Sequence, residues 1–280
     1  MILVADSGST KTDWRLINGQ STLSQHICNG LNPHFHSIET VLQEVQKTFE
    51  SSISTQVEQI HFYGSGASTS EKKKILSDGF QQHFPKAKIF IYHDLLGAAR
   101  AACGSEKGLA GILGTGSNCC SYDGHEIVKE FRSGGFIIGD EGGGVSIGKA
   151  ILKAYIENDM PQELVEKFNF QFKISYDEIL DSLYKKPYPN QFLASLSHFA
   201  YHNKNHFFIS AILVASFQAY FDVQVKRHEN WDSLPLNLVG SIAYYYNQEL
   251  KVVAEKNNIK LNTILEKPIA GLALYHAGLS

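Results

Sequence analysis

An aspartate and a small-residue turn directly follow the first apolar run of the chain. Ile2–Ala5 predicts a buried strand, Asp6-Ser-Gly-Ser-Thr-Lys-Thr-Asp13 follows it, and apolar character returns at Trp14. Gly8 has no Cβ to hold an anion away, so a turn here can aim several backbone N–H groups at a phosphate. Asp6 can hold a hydrated Mg²⁺ against that phosphate. An ordinary hairpin turn explains the same residues equally well.

A comparable unit recurs later in the chain. Gly108–Leu113 predicts a strand, Gly114-Thr-Gly-Ser-Asn118 a turn and Cys119–Tyr122 a second strand. Two such units at distant positions indicate two structurally similar halves rather than one hairpin repeated locally. Asp123-Gly124 then predicts a two-residue hairpin turn into a third strand.

A carboxylate also follows the predicted strand Ile89–Tyr92, in the pair His93-Asp94. Open α/β sheets place their ligands at the carboxyl ends of their strands. Asp94 could there act as a general base, because a hydroxyl that accepts a phosphoryl group must lose its proton. The alternative is that Asp94 caps the predicted helix Leu95–Cys103.

Residues 134–144 contain six glycines and two carboxylates. Such a glycine density costs chain entropy, and close approach of the backbone to a ligand would explain it. Asp140 could accept hydrogen bonds from the hydroxyls of a polar substrate, and Glu141 could share that task or cap the next helix. A mobile surface loop is the alternative. Because Phe136-Ile137-Ile138 is apolar, we expect the segment to be partly buried and favour a functional role.

Two further segments each have a structural alternative. Asn32 offers a donor and an acceptor for an amide or a sugar hydroxyl, but Gly30-Leu-Asn-Pro33 is first of all an ordinary turn. Gly240-Ser241 lies between the predicted strand Leu236–Val239 and a helix to about Asn257, where it could face an adenine nucleotide or simply turn the chain. The sequence lacks the dinucleotide fingerprint and the P-loop pattern.

The elements that must position these residues alternate between strands and helices. Strands are predicted at Gln59–Tyr63 and Ile89–Tyr92, and helices at Ile38–Ser51 and Ser70–His83. The fold class is therefore α/β, with parallel strands in sheets covered on both sides. We place one domain at residues 1–106 and a second, with helical insertions, at 107–267. A final helix within 268–280 is expected to pack back on the first domain.

Composition narrows the function further. The 280 residues are 43% hydrophobic and 19% charged with a net charge of −3, which disfavours nucleic acid as a partner. No apolar stretch of about 18 residues is evident, so we expect no membrane partner and a cytoplasmic protein. The four cysteines have no C-x-x-C spacing and are expected to be buried thiols rather than metal ligands.

Taken together, the motifs resemble the family of N-acetylglucosamine kinases and BadF/BadG-type ATPases, within the actin-like, hexokinase-like and Hsp70-like ATPase superfamily. They occur in the family's order and span positions 6 to 241. They are Asp6–Asp13, His93-Asp94, Gly114–Asn118, Gly139-Asp-Glu-Gly142 and Val239-Gly-Ser241. One departure is that Phe136-Ile137-Ile138 replaces a segment that in the family often contains tryptophan and glycine, which bears on sugar specificity.

The resemblance implies two ribonuclease-H-like domains with ATP, Mg²⁺ and substrate in the cleft between them. It assigns Asp94 as the catalytic base. It assigns to the nucleotide Asp6, with water-mediated Mg²⁺, and Gly8, Ser9, Thr10, Lys11, Gly114, Thr115, Gly116, Ser117, Gly240 and Ser241. It assigns to the amino sugar Asn32, Asp94, Gly134, Gly135 and Asp140.

The function expected from the sequence is therefore ATP-dependent phosphorylation of an amino sugar, N-acetylglucosamine at its 6-hydroxyl being the leading candidate. One alternative is the ATPase activator of a radical acyl-CoA dehydratase, although Cys119 and Cys120 lack convincing spacing for an iron–sulfur cluster. Another is a non-catalytic regulator that senses sugar and ATP. A homodimer is the expected assembly.

Overall fold

The computed structural model describes residues 1–8 and 11–280. These residues form two compact units. The first contains residues 1–106, 123–127 and 267–280, and the second contains 107–122 and 128–266. Each unit is built on one five-stranded sheet.

The strands are β1 (Ile2–Ser7), β2 (Lys11–Asn18), β3 (Ser21–Asn29), β4 (Gln59–Gly64), β5 (Lys88–His93), β6 (Gly108–Leu113), β7 (Ser117–Tyr122), β8 (Ile127–Glu130), β9 (Leu236–Val239) and β10 (Leu261–Leu265). The helices are α1 (Ile38–Thr48), α2 (Ser51–Ser54), α3 (Ser70–His83), α4 (Asp94–Cys103), α5 (Gly135–Ile138), α6 (Gly144–Ile156), α7 (Gln162–Phe172), α8 (Tyr176–Tyr184), α9 (Pro189–Ser195), α10 (Ser197–His202), α11 (Phe207–Tyr220), α12 (Ser241–Tyr245), α13 (Asn247–Lys256) and α14 (Ile269–His276). A π-helical turn, Phe221–Val225, follows α11.

Both sheets have the same strand order. The first is β3-β2-β1-β4-β5 and the second, read from its other edge, is β8-β7-β6-β9-β10. In each, the first two strands along the chain are antiparallel and the last two extend the sheet in parallel. Both glycine turns therefore join the first and second strands of equivalent sheets, which confirms the α/β fold and the two similar halves.

Strand alternation divides the first sheet into two faces. Leu3, Ala5 and Trp14 are fully buried in a core with α1 and α3, while α4 and α14 contact the strands as well. Asp6 and Asp13 alternate with these core residues and so lie on the opposite face. Helix α1 begins at a capping box between Ser37 and Thr40, which satisfies amide groups at its first turn.

The second unit packs α6–α11 and α13 around its sheet. Its central helix continues from α11 through the π-helical turn, and Phe207–Val225 is 19 residues long, enough to cross a membrane by length and composition. The expectation that no apolar stretch reaches this length is therefore wrong, because the π-helical turn extends the helix. Leu213, Phe217 and Phe221 of this helix are fully buried in the core of the unit.

Three other local predictions need correction. Neither β3 nor β10 was expected. The polar strand β3 is recognisable only from its pairing with β2. The hairpin after β7 is a four-residue loop, closed by the Asp123 carboxylate, which accepts from the amides of His125 and Glu126 at 2.8 Å. The single helix predicted to Asn257 is instead α12 and α13, separated at Tyr246.

Candidate functional site

The first glycine turn lies at the carboxyl end of β1. The Gly8 amide donates to the Lys11 carbonyl at 3.0 Å, and the Ser7 hydroxyl accepts from the Leu31 amide at 3.0 Å. Among the described residues, a Cβ at Gly8 would meet nothing closer than the Lys11 carbonyl oxygen, 3.9 Å away. These residues leave this side of Gly8 open, which fits a turn that a ligand approaches. Ser9 and Thr10, predicted nucleotide contacts, lie outside the described residues.

Strand direction brings further predicted residues to the same edge of the first sheet. Strands β1, β3, β4 and β5 all end here, and β2 begins here with Lys11. Asn32 follows β3, and Asp94 follows β5 directly. Parallel strands always bring their carboxyl ends together, so the fold collects chemically active residues that are distant in sequence.

Three carboxylates influence one another at this edge. Burial, followed by the nearby carboxylates of Asp94 and Asp13, raises the pKa of Asp6 to about 7, and the Lys11 ammonium opposes the shift. Asp13 is almost completely buried, and its Oδ2 atom forms an ion pair with Lys11 Nζ at 3.2 Å. The sequence analysis did not assign a role to Asp13. Its position two residues after Lys11 on a strand could have indicated the contact, because residues two apart on a strand lie on the same face.

Asp94 is not the helix cap. It is the first residue of α4, and His93 is the N-cap, its Nδ1 atom accepting from the Leu95 amide at 3.4 Å. The capping interpretation of Asp94 is therefore wrong, because the capping bond is made by His93. Asp94 Oδ1 lies 2.9 Å from His93 Nδ1, and the Asp94 side chain is 30% exposed. Its carboxylate can therefore reach a bound ligand.

Asn32 forms the predicted turn. Its Oδ1 atom accepts from the His34 amide at 2.9 Å, and its carbonyl accepts from Phe35 at 3.0 Å. A Cβ at Gly66 would lie 2.5 Å from Asn32 Oδ1, so Gly66, which follows β4, fits closely against this side chain. The turn uses the acceptor of Asn32, while its Nδ2 group has no acceptor among the described residues.

The second glycine turn rests on the amino end of α6. The carbonyls of Gly114 and Thr115 accept from Gly144 at 2.8 Å and Val145 at 3.0 Å. Within the part of the chain that the structure describes, the amides of Thr115 and Gly116 donate to no acceptor. A Cβ at Gly114 would meet no described residue within 4 Å. The turn thus combines free donors with open space, as anion binding requires.

Gly240 lies against this turn. Its φ is +128°, and a Cβ would overlap the Leu113 carbonyl oxygen, so only glycine fits the approach of β9 to the end of β6. Its amide donates to the Leu265 carbonyl at 2.9 Å. Ser241 follows as the exposed first residue of α12. Within the second unit, the predicted residues from 114 to 117 and from 240 to 241 therefore lie at one sheet edge.

Asp140 contacts the second turn directly. Its Oδ1 atom accepts from the Ser117 amide at 3.3 Å and from the Ser133 hydroxyl at 3.1 Å. A Cβ at Gly116 would lie 2.6 Å from Asp140 Oδ2, which explains a glycine there. The predicted substrate residue thus lies beside predicted nucleotide residues. The sequence analysis missed Ser133, whose hydroxyl also accepts from the Gly135 amide at 3.0 Å.

The segment before Asp140 is a short helix rather than a loop. Gly134 is the N-cap of α5, and Gly135 adopts φ +64°. Ile137 is 72% and Ile138 81% exposed, so the expectation that the apolar residues are buried is wrong for these two. Lys149 of α6 donates to the carbonyls of Phe136 and Ile137, which fixes the segment without burying it.

Glu141 does not cap α6. The N-cap is Gly143, which makes no side-chain capping bond, so that alternative is wrong. Glu141 Oε2 is buried without a hydrogen-bond partner in the described part of the chain. Among residues 1–8 and 11–280, no three histidine, cysteine, aspartate or glutamate side chains are grouped closely enough to hold a metal ion.

Comparison with known proteins gives a consistent result. The profile of the BadF/BadG/BcrA/BcrD ATPase family matches residues 5–196. An N-acetylmuramic acid/N-acetylglucosamine kinase from Clostridium acetobutylicum is 30% identical over 139 residues, 47% of this chain and 45% of that protein. The match thus spans less than half the length of that curated relative.

Two solved structures match over almost the full chain. A candidate N-acetylglucosamine kinase from Porphyromonas gingivalis is 34% identical, with a TM-score of 0.91 and 99% of each chain covered. A candidate N-acetylglucosamine kinase from Chromobacterium violaceum shares the fold, with a TM-score of 0.76 at 16% identity and 98% of each chain covered.

Proposed function

The chain belongs to the BadF/BadG/BcrA/BcrD ATPase family, and from that membership we propose that it transfers the γ-phosphoryl group of ATP to an amino sugar. N-acetylglucosamine is the proposed acceptor and its 6-hydroxyl the proposed site. The observation that carries the proposal is the position of Asp94. It lies at the sheet edge that also holds Asp6 and Lys11, and among the described residues it is His93, not Asp94, that makes the capping bond to α4. The 34% identity over 99% of the P. gingivalis chain supports the amino sugar.

In the proposed mechanism, Asp94 accepts the proton of the sugar hydroxyl as that oxygen bonds to phosphorus. The free amides of Thr115 and Gly116, with the Lys11 ammonium, bind phosphate oxygens. Gly8, Gly114, Ser117, Gly240 and Ser241 complete the proposed nucleotide contacts, with Ser9 and Thr10 predicted from sequence. Asn32, Gly134, Gly135 and Asp140 are the proposed sugar contacts.

Asp6 fits a hydrated Mg²⁺. It is a hard oxygen donor whose pKa is raised to about 7 by burial and neighbouring carboxylates, so a cation nearby would stabilise its ionised form. The ion would neutralise phosphate charge during transfer. The predicted homodimer and cytoplasmic location stay predictions, and light scattering tests the first.

The dehydratase activator is disfavoured by the placement of the cysteines. Cys119 and Cys120 are both fully buried in β7, where they cannot ligate a cluster at a subunit surface. A purified protein with no visible absorbance would agree with the kinase.

The proposal is tested by ADP release in the presence of ATP and each of several sugars. N-acetylglucosamine, N-acetylmannosamine, N-acetylmuramic acid, glucosamine and glucose form the panel, with 6-deoxy-N-acetylglucosamine as the acceptor control. We expect release with N-acetylglucosamine, none with the 6-deoxy sugar, and a loss of at least about 10²-fold in kcat for Asp94→Asn with nucleotide binding retained. Asp232→Asn, at an exposed position, is the matched control. Sugar binding without ADP release would indicate a regulator instead.

A further inference from the structure

Asp6 and Asp13 are directly opposite each other in the antiparallel ladder of β1 and β2. Opposed residues in such a ladder project from the same face, with Cβ atoms about 5 Å apart. Two carboxylates in this relation repel each other, and the Asp13 side chain is only 9% exposed, so water screens the repulsion poorly. A neutral residue at position 13 would avoid this cost, so the acidic residue calls for a reason other than folding.

Lys11 supplies that reason. It lies two residues before Asp13 on β2 and hence on the same face, and its ammonium is 3.2 Å from Asp13 Oδ2. The Lys11 side chain is 46% exposed, so it is accessible to a ligand. A lysine ammonium on a flexible four-carbon stem otherwise samples many rotamers. The buried carboxylate of Asp13, fixed by the strand, holds the Lys11 ammonium next to the first glycine turn.

We propose that Asp13 is a positioning residue that orients Lys11 toward the phosphates of the bound nucleotide. This inference rests on the proposed function, since it assumes that the first glycine turn binds ATP. Asp13 does not touch the nucleotide and acts through Lys11. The gain is that the cation is ordered before binding, so binding does not have to immobilise it.

The test is a double-mutant cycle with Asp13→Asn, Lys11→Met and the combined variant. Calorimetry measures the Kd of ATP with Mg²⁺, and ADP release measures KM and kcat. We expect Asp13→Asn and Lys11→Met each to raise the Kd for ATP about tenfold, and the combined variant to be no weaker than Lys11→Met alone. KM for ATP should rise in parallel while KM for the sugar stays constant. Lys74→Met and Asp78→Asn, which break an exposed ion pair of 2.8 Å in the same unit, are the matched controls.

The outcomes separate the two proposals. If the wild-type protein binds ATP and phosphorylates a sugar but Asp13→Asn binds ATP equally well, the positioning role is overturned and the kinase stands. Losses that add in the combined variant would also overturn it, because Asp13 would then act independently of Lys11. If the wild-type protein binds no ATP, the proposed function itself fails. Asp13→Asn should have an unchanged or higher Tm, so a variant that does not fold would contradict the proposal too.

Discussion

The imidazole rings of His61 and His276 lie with their centroids 3.9 Å apart, which joins β4 to the last turn of α14. His276 Nε2 is also 2.9 Å from the Tyr63 hydroxyl, which accepts from the Arg100 guanidinium at 2.9 Å. Burial and the Arg100 guanidinium together lower the pKa of His61 to about 4, and burial, the neighbouring His61 and Arg100 together lower the pKa of His276 to about 3. Both rings are therefore neutral at physiological pH.

This pair predicts acid destabilisation. An unfolded histidine has a pKa near 6.5, so between about pH 6.5 and pH 4 the unfolded chain binds protons that the folded chain does not. Stability is therefore complete above about pH 6.5 and falls as the pH drops towards 4, by on the order of 1 kcal/mol or more per histidine. Urea unfolding at a series of pH values measures this. His276→Gln should flatten the dependence, and an equally steep curve in that variant would show that other groups cause it.

Gly114→Ala separates ligand binding from folding. A Cβ at this position would meet nothing within 4 Å in the part of the chain that the structure describes, so the Tm should stay within about 2 °C of wild type. If the second turn approaches phosphate closely, the added methyl group should raise the Kd for ATP at least about tenfold. Calorimetry with ATP provides the measurement. Gly19→Ala, with open space but φ +55°, is the control, and it should lose a little stability and no ATP affinity.

Asp6→Asn should lower the rate of ADP release and raise the thermal stability of the protein. The half-buried Asp6 carboxylate lies near two others, so neutralising it removes repulsion and should raise the Tm in the absence of ligands by about 2–4 °C per kcal/mol gained. Mg²⁺-dependent ADP release should fall by at least about 10²-fold. Differential scanning calorimetry and the coupled assay give the two readouts. A variant with wild-type turnover would remove Asp6 from the proposed metal site.

Lys149→Met should affect the sugar rather than the nucleotide. Lys149 donates to the carbonyls of Phe136 and Ile137, so its loss should loosen the short helix that leads to Asp140. We expect KM for the sugar to rise about three- to tenfold, which corresponds to about 0.7 to 1.4 kcal/mol of binding, with KM for ATP unchanged. Steady-state kinetics with each substrate varied in turn decides this. A matched rise in both KM values would contradict the assignment of this segment to the sugar.

The sequence predicted correctly those helices and strands whose formation depends mainly on their own residues. The bounds of α3, Ser70–His83, were predicted from sequence, and β1, β4, β5 and β9 lie where apolar runs predicted strands. It failed for features that depend on contact with another element. The polar strand β3 exists because it pairs with β2, and the exposure of Ile138 depends on what α5 packs against rather than on its apolar side chain.

The sequence by itself determined the two strand–glycine turn–strand units and the acidic residue after β5, because turn residues and hydrophobic period are local properties of the chain. Only the tertiary structure decided that Asp13 opposes Asp6, that His93 rather than Asp94 caps α4, and that Asp140 lies on the turn at Gly116. These relations depend on strand register and on contacts between segments far apart in sequence. Such contacts are fixed only when the whole chain packs.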